Sequence, residues 1–254
     1  MLNLGWMSTA RGSGSLSLLR FVCDRIREGS LDARIQVVVS NREPGEAEQT
    51  DVFFQYCHEQ RLPVVSESSR HFRQAYAGSD WRTSFDKRLA ERIDRYDIDV
   101  ILLAGYMLIV SDFLCERYPL LNLHPALPDG PKGTWPEVMS ELALSGAEKT
   151  GAMIHVVTPQ LDRGPVVSYF SLCLAGEPYA TVREANDVDG LAREIRAREL
   201  EREHPLILTT LQALSSGRVR IVDGYPYDES GAPLHNGIDL SAEVEELVSR
   251  SNAA

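Results

Sequence analysis

The stretch Val100-Ile-Leu-Leu-Ala104 is an uninterrupted apolar run near the middle of the chain. A strand with one exposed face alternates apolar and polar residues, whereas a strand buried on both faces need not alternate. The run therefore predicts a central strand of a parallel sheet. Further strand patterns at 2–8 and 34–40 alternate with helix-like segments such as 83–96. We predict an α/β fold with a Rossmann-like, doubly wound and mostly parallel central sheet.

The pattern changes after the central strand. Two strand-like runs, 150–157 and 166–174, are separated by a short loop, so we predict an antiparallel pair near the C-terminal end of the sheet. Two helices are predicted beyond it. The first is the charged segment 189–203, and the second is the more apolar segment 205–215.

Length and charge limit the classes of function. The chain has 254 residues, which is long enough for one large α/β domain. Its formal net charge is -11. We assign residues 1–222 to that domain and expect 223–254 to be a C-terminal tail, not a separate domain. Nucleic acids and anionic membranes bind positively charged surfaces, and this chain has an excess of acidic residues. We therefore expect neither as a partner. The longest apolar run, 100–110, is too short to span a bilayer and the N-terminus has no leader pattern, so we expect a cytoplasmic protein.

The side chains that most often bind metals form no recognisable motif. Four cysteines, Cys23, Cys57, Cys115 and Cys173, are scattered without a CxxC pair, and we interpret them as reduced core residues. The histidines form no HExxH or comparable ligand pattern. We therefore expect no metal.

The segment Asn122-Leu-His-Pro-Ala-Leu-Pro-Asp-Gly-Pro-Lys-Gly133 is the strongest candidate for a functional site. Because successive side chains alternate along a strand, Asn122 and His124 point to the same side near the end of a short strand. They bring an amide donor and a titratable base together, and the prolines and glycines that follow stiffen the loop beyond them. On these residues alone, an active site and an ordinary hydrogen-bonded loop both remain open.

A glycine-rich turn, Gly12-Ser-Gly-Ser15, lies between the first strand and a helix. Backbone N–H groups and the helix dipole at such a turn attract anions, so a phosphate site is one interpretation and a purely structural turn is the other. The third glycine of the dinucleotide fingerprint and the GKS or GKT of a P-loop are absent, so neither NAD nor a P-loop nucleotide is indicated.

Four motifs follow one another in the chain: Ala104-Gly-Tyr-Met-Leu-Ile-Val110, Asn122-Leu-His-Pro125, Thr150-Gly-Ala-Met-Ile-His155 and Leu161-Asp-Arg-Gly-Pro165. With these motifs, the chain from about residue 1 to residue 222 resembles the glycinamide ribonucleotide transformylases, which are folate-dependent enzymes of purine synthesis. The resemblance implies a formyltransferase fold. It also implies transfer of a formyl group from the cosubstrate 10-formyltetrahydrofolate to the amine of glycinamide ribonucleotide.

The resemblance implies roles for individual residues. It gives the catalytic roles to Asn122, His124 and Asp162. It suggests that Arg82 meets the folate glutamate and that the cosubstrate is otherwise contacted by Tyr106, Met107, Leu108, Ile109, Val110 and Leu161. It assigns the substrate phosphate to Gly12, Ser13, Gly14 and Ser15.

The chemistry of formyl transfer is consistent with the catalytic roles. The reaction passes through a tetrahedral adduct with a negative oxygen, for which the Asn122 amide and a protonated His124 are suitable donors. We expect the opposite charge of Asp162 to raise the pKa of His124, and its carboxylate to help a water molecule relay the amine proton. His155 lies in an apolar strand, where a histidine is more often a satisfied core residue.

Two departures from the family pattern leave the acceptor open. The glycine-rich turn lacks the Asn that family members usually place just before the Leu, and the usual Pro-Ser-Leu-Leu-Pro after the His becomes Pro125-Ala-Leu-Pro-Asp-Gly-Pro-Lys132. The partner is expected to be a small-molecule amine, with an amino sugar as one alternative to glycinamide ribonucleotide. A homodimer stays open.

Other activities on the same scaffold are less favoured. One is hydrolysis of 10-formyltetrahydrofolate, although similar deformylases carry an additional N-terminal domain that this sequence does not show. Another is folate binding without catalysis, which would not need the catalytic trio. Formylation of methionyl-tRNA is disfavoured by the acidic charge.

Overall fold

The computed structural model describes residues 1–76 and 78–252 and divides into two compact units. The first unit comprises residues 1–122 and 157–160, and the second comprises 123–156 and 161–254, of which 253 and 254 lie outside the described residues. The expected C-terminal tail, residues 223–254, is therefore described up to residue 252.

The first unit alternates strands and helices along the chain. Its elements are β1 (Leu2–Met7), α1 (Ser13–Arg27), β2 (Ala33–Ser40), α2 (Glu48–Glu59), β3 (Val64–Ser66), α3 (Ser69–Ala75), α4 (Trp81–Ile93), β4 (Val100–Leu103), α5 (Asp112–Arg117) and β5 (Leu120–His124), the last two residues of which belong to the second unit.

The strands of the first unit are all parallel, in the order β5-β4-β1-β2-β3. Strand β1 has β2 on one side and β4 on the other, so the strand order reverses there, as in a doubly wound sheet. All four residues of β4 are buried, which confirms the central strand that its apolar run predicts. Phe85, Leu89 and Ile93 of α4 recur at helical spacing and are fully buried in the core of this unit.

The second unit contains the remaining elements. They are α6 (Trp135–Ser145), β6 (Lys149–Val156), β7 (Val166–Cys173), α7 (Tyr179–Glu184), α8 (Val188–Ser215), β8 (Val219–Val222), β9 (Tyr225–Asp228), β10 (Ile238–Asp239) and α9 (Ser241–Asn252).

Strands β6 and β7 pair in antiparallel fashion, which confirms the predicted antiparallel part of the fold. Gly151 on β6 is required by this pairing, because a Cβ there would lie 1.9 Å from the carbonyl oxygen of Phe170. The tail adds β10, which pairs in parallel with β7, and β9, which pairs with β8 in a separate two-stranded sheet. Apolar residues of α6 and α8, among them Leu142 and Ile195, pack together in a hydrophobic core of the second unit.

The prediction of two helices over 189–203 and 205–215 was wrong, because α8 is one helix of 28 residues with Pro205 inside it. Proline removes its own N–H from the helical ladder and strains the turn before it. Here Pro205 is buried together with Leu206 and Ile207, and packing holds the helix across the missing bond. The change from a charged to an apolar surface at Pro205 made one helix resemble two.

The cysteines are only partly core residues. Cys23 and Cys57 are buried, but Cys115 is half-buried and Cys173, at the end of β7, is exposed. All four are free thiols. None of the helices in the described ranges is long and apolar enough to cross a membrane.

Candidate active site

The carboxyl ends of three strands lie side by side in the first unit. Met7 of β1 is paired with Leu103 of β4, and Leu103 is paired with Asn122 of β5. Because the strands are parallel, the loops after β1 and β4 leave the sheet at the edge where Asn122 lies. Asn122 thus lies near the end of a short strand, as the sequence predicts.

His124, the last residue of β5, lies in the second unit and is only 2% exposed. Its Nε2 is 2.9 Å from the carbonyl oxygen of Pro131. A carbonyl can only accept a hydrogen bond, so the proton of a neutral His124 ring is on Nε2. Its Nδ1 faces the Asp162 carboxylate, with Oδ2 at 3.6 Å. The structure therefore brings together two of the three predicted catalytic residues.

His155 faces the same carboxylate from strand β6. Its Nε2 is 3.6 Å from Oδ1 of Asp162, and its Nδ1 is 3.0 Å from the carbonyl oxygen of Val156. The β6–β7 register shifts at Ile154 and His155, and such irregularities change the direction of a side chain. The expectation of an ordinary core histidine overlooked this contact, since its sequence signal is only an apolar strand.

Asp162 is held in an unusual backbone conformation. Its φ of 52° lies in the left-handed region, which a carboxylate side chain tolerates better than a branched one. The backbone N–H of Gly133 is a hydrogen-bond partner of the Asp162 carboxylate. Lys132, the preceding residue, donates to the carbonyl oxygen of Pro128 at 2.9 Å and acts electrostatically on Asp162. Lys132 carried no distinguishing signal in the sequence.

Burial and neighbouring charges set the protonation of this cluster. Burial lowers the pKa of His124 from its ordinary value, although the Pro131 carbonyl and the Asp162 charge both act to raise it. Asp162 acts in the expected direction, but the expectation of a protonated His124 was wrong, because desolvation of the ring is the larger effect. Burial acts to raise the pKa of Asp162, but the imidazoles of His155 and His124 outweigh it and the pKa is lowered. Near neutral pH the cluster holds a neutral His124 and an ionised Asp162.

The loop after β4 is fixed at both ends within the first unit. The N–H of Met107 donates to Oγ1 of Thr9 at 2.7 Å, and the N–H of Ser111 donates to Oδ2 of Asp86 at 2.6 Å. Between these anchors the side chains of Met107 and Ile109 are 69% and 57% exposed. The sequence did not identify Thr9 or Asp86, because their partners are distant in the chain.

The other candidate binding residues lie on the surfaces of their units. The turn Gly12–Ser15 begins α1 without a side-chain cap, and a Cβ at Gly12 or Gly14 would meet no atom within 4 Å. Arg82 is exposed in the first turn of α4, with its guanidinium 4.9 Å from the centre of the Trp81 ring. Leu161, in the second unit, is 59% exposed.

The first unit also contains a group of side chains with metal-binding chemistry. Ligand atoms of Glu43, Glu46 and His71 all lie within 4.8 Å of one another. The group follows no ligand spacing in the sequence, and none of its members is buried.

The fold and the buried imidazole–carboxylate cluster define the class of protein: an α/β enzyme with acid–base residues at the end of a sheet strand. The chain belongs to the formyl transferase family, whose model matches residues 10–173.

Two curated relatives share about a third of their matched residues with the chain. A phosphoribosylglycinamide formyltransferase of Escherichia coli (strain K12) is 31% identical over 144 residues, which are 56% of this chain and 61% of that protein. A formyltetrahydrofolate deformylase of Bacillus subtilis (strain 168) is 30% identical over 141 residues, which are 55% of this chain and 41% of that protein. The matches thus span less than two thirds of either relative.

The solved structure of a phosphoribosylglycinamide formyltransferase from Coxiella burnetii resembles the chain with a TM-score of 0.71 and 22% identity. The likeness covers 94% of this chain and 98% of that one. It confirms the formyltransferase fold.

Proposed function

We propose that this enzyme transfers a formyl group from 10-formyltetrahydrofolate to the amine of glycinamide ribonucleotide. The observation that carries the proposal is the pair formed by His124 and Asp162, a neutral imidazole and an ionised carboxylate that are both buried and 3.6 Å apart. The similarity to the Escherichia coli phosphoribosylglycinamide formyltransferase supports this choice of acceptor.

The reaction requires one bond to form and one to break. The amine nitrogen attacks the formyl carbon, and the carbonyl electron pair moves to oxygen to give a tetrahedral oxyanion. When the carbonyl re-forms, the bond from carbon to N10 of the folate breaks and its electron pair goes to N10. The attacking amine loses one proton and N10 gains one. The protein must therefore stabilise an oxyanion and move a proton.

His124 and Asn122 are assigned to the oxyanion. The neutral ring keeps one N–H, which the Pro131 carbonyl fixes on Nε2. In this proposal the N–H exchanges that carbonyl for the developing oxyanion, and Asn122, two residues earlier on β5, supplies an amide N–H. Pro131 lies in the loop that departs from the family pattern, so this loop sets the tautomer of His124.

Asp162 is assigned to the proton. Its lowered pKa keeps the carboxylate ionised at neutral pH, so it can take the amine proton, directly or through a water molecule, and pass it to N10.

The first unit offers residues suited to a folate. The exposed apolar side chains of Met107 and Ile109 flank backbone groups that can bind a flat, polar-edged pterin, and the exposed guanidinium of Arg82 suits the folate glutamate. The backbone N–H groups of Gly12–Ser15 are assigned to the ribonucleotide phosphate.

The test is an absorbance assay with 10-formyltetrahydrofolate, run with glycinamide ribonucleotide, with a panel of other amines and with buffer alone. Rapid folate release with glycinamide ribonucleotide only is the expected result. Release with another amine, such as an amino sugar, would keep the chemistry and change the acceptor.

A second candidate function is hydrolysis of 10-formyltetrahydrofolate. It is favoured by the Bacillus subtilis deformylase, which is as similar to the chain as the formyltransferase from Escherichia coli. Water would then take the place of the amine, and formate would be the product. Folate release in buffer alone, at a rate that no amine increases, would establish hydrolysis and overturn the transferase proposal.

A further inference from the structure

A buried carboxylate lies beneath the loop after β4. Asp86, on α4, is fully buried, and its Oδ2 accepts the N–H of Ser111 at 2.6 Å across 25 residues of sequence. Burial raises the pKa of Asp86, although Ser111 and the charge of Arg82 act in the opposite direction. Burying a carboxylate is costly unless its partners compensate. The burial of Asp86 at this position therefore needs an explanation.

The surrounding polar atoms do not provide full compensation. Within residues 1–76 and 78–252, Oδ1 of Asp86 and the hydroxyl of Tyr106 are buried without a hydrogen-bond partner. Most buried polar groups in proteins are paired. The polar atoms therefore do not act here as a self-sufficient core network. Oδ2 of Asp86 is instead hydrogen-bonded to the loop backbone at Ser111.

That bond closes one end of a short loop in which the side chains of Met107 and Ile109 are exposed, whereas Tyr106 and Val110 are buried. The other end is fixed by Thr9, whose hydroxyl accepts the N–H of Met107 and whose own N–H donates to the carbonyl oxygen of Gly105 at 3.0 Å. Gly105 has a φ of 70°, which favours glycine. The backbone N–H groups on either side of Leu108–Val110 are therefore hydrogen-bonded to side chains elsewhere in the first unit.

The same helix carries a second residue of the proposed cosubstrate site. Arg82 lies four residues before Asp86, which places both on one side of α4. The charge of Arg82 also acts on Asp86. Through Asp86, helix α4 therefore fixes the loop relative to Arg82.

We infer that Asp86 is a positioning residue for the folate cosubstrate, which holds the backbone of Leu108–Val110 in the conformation that receives the pterin. The inference rests on the proposed function, since it concerns the same cosubstrate. Asp86 does not touch the reacting atoms, so its loss weakens cosubstrate binding and leaves the chemical step nearly unchanged.

The test is steady-state kinetics in which the KM of each substrate is measured separately. Asp86→Ala removes the acceptor and is expected to raise the KM for 10-formyltetrahydrofolate about tenfold or more, with kcat and the acceptor KM changed less than about twofold. Asp86→Asn keeps an oxygen that can accept the Ser111 N–H, and it should recover most of the affinity. Glu91→Ala removes an exposed carboxylate from the same helix and is the matched control.

A variant at the other end of the bond keeps the test independent of the folding of Asp86→Ala. Ser111 has a φ of -79°, which proline can adopt, so Ser111→Pro removes the donor N–H with little backbone change. It should raise the cosubstrate KM as Asp86→Ala does. The double variant should add little, because both changes remove one bond.

Two results would overturn the inference. One is an unchanged cosubstrate KM in Asp86→Ala and Ser111→Pro. The other is an equal loss in every kinetic parameter, with Asp86→Asn no better than Asp86→Ala, which would indicate a purely structural role. Wild-type enzyme that neither turns over nor binds 10-formyltetrahydrofolate in a fluorescence titration would instead overturn the proposed function, and the inference with it.

Discussion

Two buried carboxyl groups in the second unit, Asp162 and Glu199, have opposite pKa shifts. Asp162 is 8% exposed and faces two imidazoles, and its pKa is lowered. Glu199 on α8 is fully buried, and burial raises its pKa to about 8. Its Oε1 accepts the hydroxyl of Thr150 at 2.8 Å, but the nearest guanidinium, that of Arg196, is 3.7 Å away and pairs more closely with Glu203.

The comparison shows that burial acts on both carboxyls in the same direction and that their neighbours decide the result. Two nitrogen bases that can carry a proton keep Asp162 ionised, which suits a residue that accepts protons. A hydroxyl and a shared guanidinium leave Glu199 protonated at neutral pH, and its hydrogen bond connects α8 to β6. Of these two buried acids, Asp162 is the one that our proposal assigns to proton transfer, and Glu199 connects two elements of the second unit.

The largest expected effect is the loss of activity when the charge of Asp162 is removed. Asp162→Asn keeps the shape and removes the proton acceptor, so we expect kcat to fall about 10²- to 10⁴-fold in the formyl-transfer assay. Asp189→Asn, at an exposed position on α8, is the control and should retain wild-type rates. A wild-type rate in Asp162→Asn would contradict the assignment of Asp162 as the proton acceptor.

Loss of the His124 imidazole is expected to have a similar or slightly smaller effect. His124→Ala removes one oxyanion donor, so kcat should fall about 10²- to 10³-fold. The exposed His58 allows a matched control, His58→Ala, for which no change is expected. Circular dichroism should show that both variants are folded. If His124→Ala were folded and fully active, the assigned mechanism would be wrong.

Glu199→Gln tests the structural role of Glu199 through the free energy of unfolding. Because the folded pKa is raised to about 8 from 4.5, the folded state binds more protons than the unfolded state between these values, and stability is lost as pH rises through this window. Glutamine can still accept the Thr150 hydroxyl and has no charge to bury. We expect the variant to gain on the order of 2 kcal/mol relative to wild type at pH 8.5 and much less at pH 5.

Urea unfolding at the two pH values would measure this difference. Glu229→Gln, at an exposed position, should follow the wild-type pH dependence and serves as the control. A stability difference between Glu199→Gln and wild type that does not change with pH would show that Glu199 does not titrate in this window. The activity of Glu199→Gln should stay near wild type, in contrast to Asp162→Asn.

The smallest expected effect is a change in pH dependence when one imidazole is removed from Asp162. In His155→Asn the carboxylate loses one of the two imidazoles that lower its pKa, while burial still acts to raise it. The acid limb of the kcat/KM profile should therefore move to higher pH, and Asp162 should become more like Glu199. An acid limb at the same pH in wild type and variant would mean that His155 has no influence on Asp162.

Local periodicity allowed much of the fold to be predicted. The apolar run of β4 indicated a strand buried on both faces, and the spacing of apolar residues in α4 indicated a helix with one buried side. Alternation along β5 indicated that Asn122 and His124 share a side. The same reasoning divided α8 at Pro205, because periodicity cannot show that tertiary packing compensates for a missing backbone hydrogen bond.

The sequence by itself determined which residue types are available, the strand and helix pattern, and the family to which the motifs belong. Only the tertiary structure decided which groups face Asp162, that Pro131 sets the tautomer of His124, and that Asp86 holds a loop 25 residues further along the chain. The physical reason is that pKa and hydrogen bonding depend on burial and on neighbours in space. The chain brings those neighbours together from distant positions, and no local pattern records them.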